Sequence, residues 1–375
     1  MTQDSTQYLS RSTAEALDAD VRLDSLTWES AIRLLEAQDG MEGYLPDGVF
    51  VVDPRNGEKT VFNRSRAARP HDNEPADQTD GANMSAGQDD AGHGAKSGAA
   101  SRSRPECVIC AGRTTSIIDR ADLSSGFTFI NENLFPVFHP RSRTAAPAWA
   151  QGEMGGASYG LHFVQWTSSY HNVDWPELDP GDRQTVIDRL AALEERLLNL
   201  PGYPGKERHV SIFKNVGRNV GGSMSHPHQQ VALSNTVPRR IEQDAEFLGR
   251  TGRSFASYML EQNPAGLTVA EDDHGRLLVP FCMRRPYELL YVLRNLGRST
   301  LHQTTSLERT SMGGALATGM RLMRAALTRM GRDPAFNVVF HTGRGAGLYL
   351  EFLPRSQEEG RSEERRVGKE CVSEC

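Results

Sequence analysis

The sequence predicts a duplicated α+β fold built on an antiparallel sheet with helices. A succession of strand, helix, glycine-containing turn and strand occurs once in each half of the 375-residue chain, which is long enough to hold two such units. The helix of each unit has an apolar stripe at the spacing of an amphipathic helix. The stripes are Val186, Leu190, Leu193 and Leu197 in the first unit and Leu316, Met320, Met323 and Leu327 in the second.

The individual elements follow from local patterns. Two apolar runs around a turn at Asn56 and Gly57 predict a β-hairpin over residues 49–62. An amphipathic stretch at 28–37 predicts a surface helix ahead of that hairpin. The first unit has predicted strands at 161–166, at 209–214 and in the segment that contains His226 and His228, and a helix at 182–200. The second unit has predicted strands at 287–294, 336–341 and 348–354 and a helix at 306–330.

We expect the chain to be organised in four segments. They are an N-terminal extension at 1–42, a first domain at 43–240, a second domain at 241–360 that we expect to be truncated, and residues 361–375. Within the first domain, residues 71–105 are polar and almost without large apolar side chains, so burial could not offset the entropy of ordering them, and we expect a disordered insertion. Residues 361–375 resemble the in-frame translation of a sequencing-library adapter and are interpreted as foreign to the protein.

Composition also restricts the function. A formal net charge of −6 and a pI near 6.0 argue against a broad cationic surface, so no nucleic-acid partner is expected. No apolar run reaches the roughly 18 residues of a membrane span, and the first twenty residues lack the apolar stretch of a secretory signal, so we expect a cytoplasmic protein. Five cysteines, an odd number, argue against a disulfide framework and favour metal ligands or reduced thiols.

The chemistry is predicted to lie in the segment from Ser225 to Gln230. On a strand, His226, His228 and Gln230 would share one face because side chains alternate. Pro227 removes a backbone N–H between the histidines and is tolerated mainly at a sheet edge, where a substrate could approach, so we expect an edge strand. The glycine-containing run at 217–223 could present backbone N–H groups to phosphate oxygens.

These residues resemble the active-site signature of the galactose-1-phosphate uridylyltransferase-like family of the histidine-triad (HIT) superfamily. The matching stretches are Phe213 to Gly217 and Gly221 to Gln230, and the spacing from Asn215 to His228 matches that of the family without a gap. Further segments agree in order along residues 45–355. They are Asp53-Pro54, Arg66 to Pro70, Cys107 to Cys110, Asn133 to Pro136 and Ser168 to Glu177.

The resemblance implies a HIT-like fold and a covalent nucleotidyl transfer. His228 would attack the α-phosphorus of a nucleoside-diphosphate sugar and release a sugar phosphate. Gln230 stands where HIT hydrolases have a third histidine, and it can donate a hydrogen bond but no proton, which favours transfer over hydrolysis. The remaining family contacts to nucleotide and phosphates fall on Arg66, Arg69, Asn133, Asn215 and Ser223. A nucleotide sugar and a sugar phosphate are thus the implied partners, and a homodimer is a further possibility.

A metal site is predicted around Cys107 and Cys110. Their spacing alone suits half of a tetrahedral zinc site, a redox pair or two buried thiols. The resemblance completes a zinc site with His171 and His226, and that zinc would brace the strand of His228. Cys282 lies in an apolar stretch and is interpreted as a core thiol.

The sequence departs from the family pattern at two places, one that concerns the nucleotide base and one that concerns a second metal site. Gln229 replaces the usual glycine, and its side chain could narrow the nucleotide pocket or point to the opposite face. Tyr349-Leu350-Glu351 replaces a family His-x-His, so a second metal is not expected, although His341 and Glu351 remain candidate ligands.

The leading interpretation is transfer of UMP between a nucleoside-diphosphate sugar and a hexose 1-phosphate. An adenylyltransferase or phosphorylase that acts on dinucleoside polyphosphates, an ADP-sugar or adenylylsulfate is a close alternative. A non-catalytic nucleotide- or zinc-binding relative is the third.

Overall fold

The computed structural model describes residues 7–39, 41, 47–63, 107–142, 146–222, 224–343, 345 and 347–355. The predicted insertion at 71–105 and the adapter-like residues 361–375 lie outside this part of the chain, as do Arg66, Arg69 and Ser223. The predictions made for them remain predictions.

The described chain contains α-helices and β-strands in mixed order. The helices are α1 (Arg11–Ala16), α2 (Trp28–Glu36), α3 (Pro180–Leu198), α4 (Arg239–Thr251), α5 (Phe255–Gln262) and α6 (Ser306–Arg329). The strands before α4 are β1 (Val49–Val52), β2 (Lys59–Phe62), β3 (Ile117–Asp122), β4 (Phe127–Glu132), β5 (Gly155–Ala157), β6 (Gly160–Trp166), β7 (His209–Val216) and β8 (His228–Ser234). Those after α5 are β9 (Thr268–Glu271), β10 (Gly275–Leu278), β11 (Leu289–Leu293), β12 (Phe336–His341) and β13 (Tyr349–Pro354).

Ten of these strands form one continuous antiparallel sheet in the order β3-β4-β6-β8-β7-β12-β13-β11-β10-β9. The first half of the sheet (β3, β4, β6, β8 and β7) meets the second half (β12, β13, β11, β10 and β9) where β7 pairs with β12. We call this pairing the seam; it runs from Phe336 opposite Val216 to Phe340 opposite Ile212. A smaller sheet, β2-β1-β5, contains the predicted hairpin.

Helices α3 and α6 cover one face of the large sheet, which we call the inner face. Both predicted apolar stripes are buried there in a single core, against strand residues such as Phe163, Val231, Val338 and Phe352. The opposite, outer face has two smaller apolar clusters, one around Phe129 and Trp166 and one around Leu290 and Tyr349. No helix in the described residues is long and apolar enough to cross a membrane.

Several elements were not predicted from the sequence. Strands β3, β4, β9 and β10 and helix α5 are short, whereas the longer helix α4 has only a few apolar residues among many charged ones. Helix α3 begins at Pro180 because proline, which lacks an N–H, is favoured in the first turn.

The interpretation of Cys282 as a core thiol is wrong: the loop between β10 and β11 leaves Phe281, Cys282 and Met283 exposed.

Candidate active site and metal centre

The segment with the two histidines enters the middle of the sheet. Strand β8 lies between β6 and β7, so the prediction of an edge strand is wrong. The strand begins at His228, directly after Pro227, and the start of a strand is the other position where a missing N–H disrupts no ladder. Alternation therefore places His228 and Gln230 together on the outer face, whereas His226 lies in the bend that precedes the strand.

A backbone hydrogen bond fixes the tautomer of His228. Its Nδ1 atom lies 2.8 Å from the carbonyl oxygen of His226, and because a carbonyl can only accept, Nδ1 must carry the proton. In the neutral ring the unshared electron pair is then on Nε2. The imidazole is 7% exposed, and its centroid lies 5.1 Å from that of the Trp166 ring. This arrangement provides a nucleophilic nitrogen in a mostly dry site.

A buried ion pair supports His228 from the inner face. The ammonium group of Lys214 donates to the His228 carbonyl oxygen at 3.0 Å and lies 3.0 Å from Asp174 Oδ1. Arg324 of α6 approaches the other oxygen of Asp174 at 3.5 Å. Burial lowers the pKa of Lys214, and the nearby charge of Asp174 opposes that effect. The backbone of His228 is thus connected to the 168–177 segment and to the second helix of the core.

Replacing Lys214 by methionine should destabilise the protein by about 3 kcal/mol, because loss of one partner leaves Asp174 buried with incomplete compensation. Urea unfolding would measure the change. The double variant Lys214→Met/Asp174→Asn should recover part of the loss, since the uncompensated charge is then removed. A single variant as stable as the wild type would contradict the assigned role of this pair.

Four side chains converge beside His228. The sulfur atoms and ring nitrogens of Cys107, Cys110, His171 and His226 all lie within 4.8 Å of one another. Cys110 Sγ is 3.7 Å from His171 Nδ1 and 3.6 Å from His226 Nδ1. Two sulfurs and two ring nitrogens at this separation could share one tetrahedrally coordinated metal ion. The predicted set of four residues is therefore brought together.

The orientation of His226 suits metal coordination. Its Nε2 lies 2.9 Å from the carbonyl oxygen of Ser168 and must donate to it, so the lone pair is on Nδ1, which faces both sulfurs. Burial is the main cause that lowers the pKa of His226 to about 4, so the ring is neutral at pH 7. A neutral imidazole is the form that binds a metal ion.

The side chain of Gln229 points away from the outer face. Its amide donates to Gln165 Oε1 at 2.7 Å and its oxygen accepts from the Thr167 hydroxyl at 3.1 Å. Gln165 in turn donates to the Val186 carbonyl oxygen of α3 at 2.8 Å. Of the two orientations considered for Gln229, the structure thus has the one in which the side chain points to the opposite face.

A tight turn connects β7 to the histidine segment. Gly217 and Gly221 have φ values of +87° and +84°, which residues with a side chain rarely adopt. Asn215 ends the outer-face row of β7, and its Nδ2 faces this turn, 3.6 Å from where a Cβ atom of Gly221 would lie. Asn215 and the turn therefore lie together next to the bend of His226.

Asn133 follows β4 on the same side of the molecule. Its Oδ1 accepts from the backbone N–H of Phe135 at 2.9 Å, and its Nδ2 is 3.5 Å from Nε2 of His162. His162 also accepts from the backbone N–H of Val137 at 3.1 Å. The structure thus places Asn133 beside the outer face near β6, while Arg66, Arg69 and Ser223 are outside the described residues.

The second half of the sheet holds a different polar cluster. Nε2 of His341 is 2.9 Å from Glu351 Oε2, and Arg284 donates to Glu351 Oε1 at 2.7 Å. Burial raises the pKa of Glu351, but the hydrogen bond from His341 and the charges of Arg284 and Arg240 outweigh it and hold the pKa well below its usual range. In the described ranges, the metal-ligand group that forms is the one around Cys107.

Sequence reasoning missed three residues that contact the site: Lys214, Asp174 and Asn337. Lys214 carries a detectable signal, because it continues the buried period-two row of Val210 and Ile212 with a charge. Asp174 and Asn337 become significant only through contacts between distant segments.

Comparison with known proteins assigns the family. Residues 52–238 match the model described as galactose-1-phosphate uridyl transferase, N-terminal domain. The chain belongs to the galactose-1-phosphate uridylyltransferase-like family. This family member is 25% identical over 219 residues to ADP-glucose phosphorylase of Arabidopsis thaliana (56% of this chain, 58% of the relative). It is 31% identical over 173 residues to galactose-1-phosphate uridylyltransferase of Thermotoga maritima (38% of this chain, 54% of the relative).

The family member spans little more than half the length of these curated relatives. A solved uridylyltransferase structure superposes with a TM-score of 0.59 at 18% identity, over 85% of this chain and 91% of that one. ADP-glucose phosphorylase of Arabidopsis thaliana with bound ADP-glucose superposes with a TM-score of 0.56 at 20% identity, over 86% and 93%. At such low sequence identity, the structural similarity shows the fold alone. It confirms the predicted HIT-like α+β fold.

Proposed function

We propose that this protein is a nucleotidyltransferase that moves a nucleoside monophosphate between a nucleoside-diphosphate sugar and a hexose 1-phosphate through a covalent intermediate on His228. The observation that carries the proposal is the hydrogen bond from His228 Nδ1 to the His226 carbonyl oxygen at 2.8 Å. It leaves Nε2 with the electron pair needed to attack phosphorus. Membership of the family supports the same reaction class.

The reaction would proceed in two displacements. In the first, Nε2 of His228 bonds to the α-phosphorus, the bond from that phosphorus to the bridging oxygen breaks, and the sugar phosphate leaves with the electron pair. In the second, a phosphate oxygen of the acceptor attacks the same phosphorus, the P–N bond breaks and Nε2 regains its pair. The leaving group of the first step is a stable anion and that of the second is the neutral imidazole of His228, so neither step needs a general acid, and Gln230 suffices as a neutral hydrogen-bond donor.

The remaining roles concern binding. Asn215 and Ser223 would contact the phosphates together with the backbone of the glycine turn, and Asn133 would contact the nucleotide. Arg66 and Arg69 would bind the diphosphate or nucleotide side, because guanidinium groups pair well with phosphate. The proximity of Asn215 to the turn supports this assignment.

The ion held by Cys107, Cys110, His171 and His226 is proposed to be zinc. Two thiolates and two imidazoles form a closed tetrahedral set, which is typical of structural zinc sites. Because His226 is both a ligand and the acceptor for His228 Nδ1, the ion would fix the backbone that orients the nucleophile.

Replacing Cys110 by serine should lower the zinc content to background and destabilise the protein by about 3 kcal/mol or more. Elemental analysis and thermal unfolding of the same preparations would measure both effects. Cys282→Ser is the matched control, since Cys282 is exposed and outside the ligand set, and it should retain zinc and stability. A wild-type protein that contains no zinc would refute the assignment of the metal.

Two candidate reactions differ in the nucleotide base and in the acceptor of the nucleotide. UMP with a hexose 1-phosphate acceptor remains the leading one, since the family model and several relatives carry that name. A phosphorylase that acts on an ADP-sugar is the second candidate. It is favoured by similarity to ADP-glucose phosphorylase in both sequence and fold. Because its side chain points inward, Gln229 favours neither base.

One labelling experiment separates these candidates. The protein is incubated with UDP-glucose or ADP-glucose labelled at the α-phosphate, separated from small molecules and tested for acid-labile label. We expect label from one of the two, and its removal by glucose 1-phosphate or by inorganic phosphate identifies the acceptor. Absence of label with both would refute covalent nucleotidyl transfer from either nucleotide sugar.

A further inference from the structure

One amide side chain from the second half of the sheet, that of Asn337, lies at the proposed phosphate site. Asn337 of β12 lies directly opposite Asn215 of β7 in the seam and is 5% exposed. Its Nδ2 atom is 2.8 Å from Asn215 Oδ1 and 3.3 Å from the carbonyl oxygen of Val220 in the glycine turn. A single amide group thus connects the seam, Asn215 and the turn.

The Val220 carbonyl determines which way both amides point. A backbone carbonyl can only accept a hydrogen bond, so the Asn337 atom beside it must be the NH₂ group and not the oxygen. The same NH₂ group also contacts the side chain of Asn215, and that contact requires Asn215 to present its oxygen. The orientation of the Asn215 amide is therefore fixed by these two hydrogen bonds.

The NH₂ group of Asn215 is consequently directed at the glycine turn. Its Nδ2 lies 3.6 Å from the Cβ position of Gly221. An NH₂ group can donate to an anionic oxygen, whereas an amide oxygen in the same place would repel it.

We infer that Asn337 is a positioning residue that holds Asn215 as a hydrogen-bond donor toward the phosphate of the nucleotide. The inference rests on the proposed function, and it gives the second half of the sheet a part in the site of the first. Asn337 itself reaches the phosphate only through Asn215, and its contact with Val220 also holds the turn in place.

The variant Asn337→Asp tests the inference with almost no change in shape. A carboxylate cannot donate to the Val220 carbonyl or to Asn215 Oδ1, so Asn215 would rotate, turn its NH₂ group to the carboxylate and present its oxygen to the phosphate. We expect nucleoside diphosphate binding and the rate of protein labelling to fall roughly 10- to 100-fold, the effect of losing a hydrogen bond to a charged group. Asn56→Asp, the same change in the exposed hairpin turn, should alter neither more than about twofold.

A double-mutant cycle separates positioning from a structural effect. If Asn337 acts through Asn215, then Asn337→Asp should cost much less in the Asn215→Ala background than in the wild type. The cycle is measured on the Kd of UDP and ADP by calorimetry and on the labelling rate, with thermal unfolding of each variant. Losses that multiply across the two sites would overturn the inference.

The calorimetric measurement of UDP and ADP binding also tests this inference separately from the proposed function. If the wild type binds UDP or ADP but is never labelled, the transfer reaction is refuted. The double-mutant cycle measured on Kd then still tests whether Asn337 acts through Asn215. A wild type that binds neither nucleotide overturns both.

Discussion

Replacement of His228 by asparagine should abolish formation of the nucleotidyl-protein, with a loss of at least about 10⁴-fold in the rate of labelling, the scale seen when a covalent nucleophile is removed. The amide nitrogen of asparagine has no available electron pair for attack on phosphorus. The measurement is the rate of label incorporation from α-labelled UDP-glucose or ADP-glucose, combined with calorimetric binding of the same nucleotide sugar.

The matched control is His209→Asn. His209 is also a buried histidine of the central sheet, 8% exposed, and burial lowers its pKa to about 4. It belongs to β7 but to neither the proposed nucleophile nor the ligand group, so this variant should still be labelled. Retention of label by His228→Asn, or equal losses in both variants, would remove His228 from the role of nucleophile.

Replacement of Gln230 by histidine should create an activity that the wild type lacks. Gln230 is 4% exposed and follows His228 on the outer face of β8, so a histidine there would place a proton donor beside the reacting phosphate. A nucleoside phosphoramidate has an amine leaving group that needs a proton. We expect its hydrolysis to rise about 100-fold in Gln230→His, within the range of general acid catalysis.

Gln230→Leu is the control for loss of the amide alone. It should weaken transfer from a nucleotide sugar about 10-fold, through loss of a hydrogen bond to a phosphoryl oxygen, and should gain no phosphoramidate hydrolysis. An equal gain in both variants would show that the change in activity comes from altered packing and not from a proton donor.

The features that depend on local pattern were predictable from sequence. The stripe of α3 and that of α6 are periodic over several turns and lie in the core as predicted. The HIT-like α+β fold followed from the repeated element order and from the resemblance. The cluster of Cys107, Cys110, His171 and His226 assembles as the resemblance implied.

The features that depend on tertiary contacts were not predictable. Pro227 restricts β8 to an edge or to a strand start, and sequence alone could not choose between them. Cys282 lies in an apolar run, yet its loop turns outward after Pro280. The contact between Asn337 and Asn215 joins residues more than one hundred positions apart, and only the register of the seam brings them together.

The seam also shows how the second half of the sheet contacts the candidate site of the first half. The second half has Tyr349 and Glu351 on its last strand, and Glu351 is engaged by His341 and Arg284. It contacts the candidate site of the first half through Asn337 of the seam, which lies at the turn, and through Arg324 of α6, which lies behind Lys214 and Asp174. The second half of the sheet therefore supports the candidate site in the first half through these contacts.

The central claim is that Nε2 of His228 receives the nucleotide. The direct test is to react the protein with the nucleotide sugar that labels it, digest it under mildly alkaline conditions and locate the adduct by peptide fragmentation and phosphorus NMR. The structure predicts a nucleoside monophosphate bonded to Nε2 of His228. An adduct on another residue, or on Nδ1 of His228, would contradict the account.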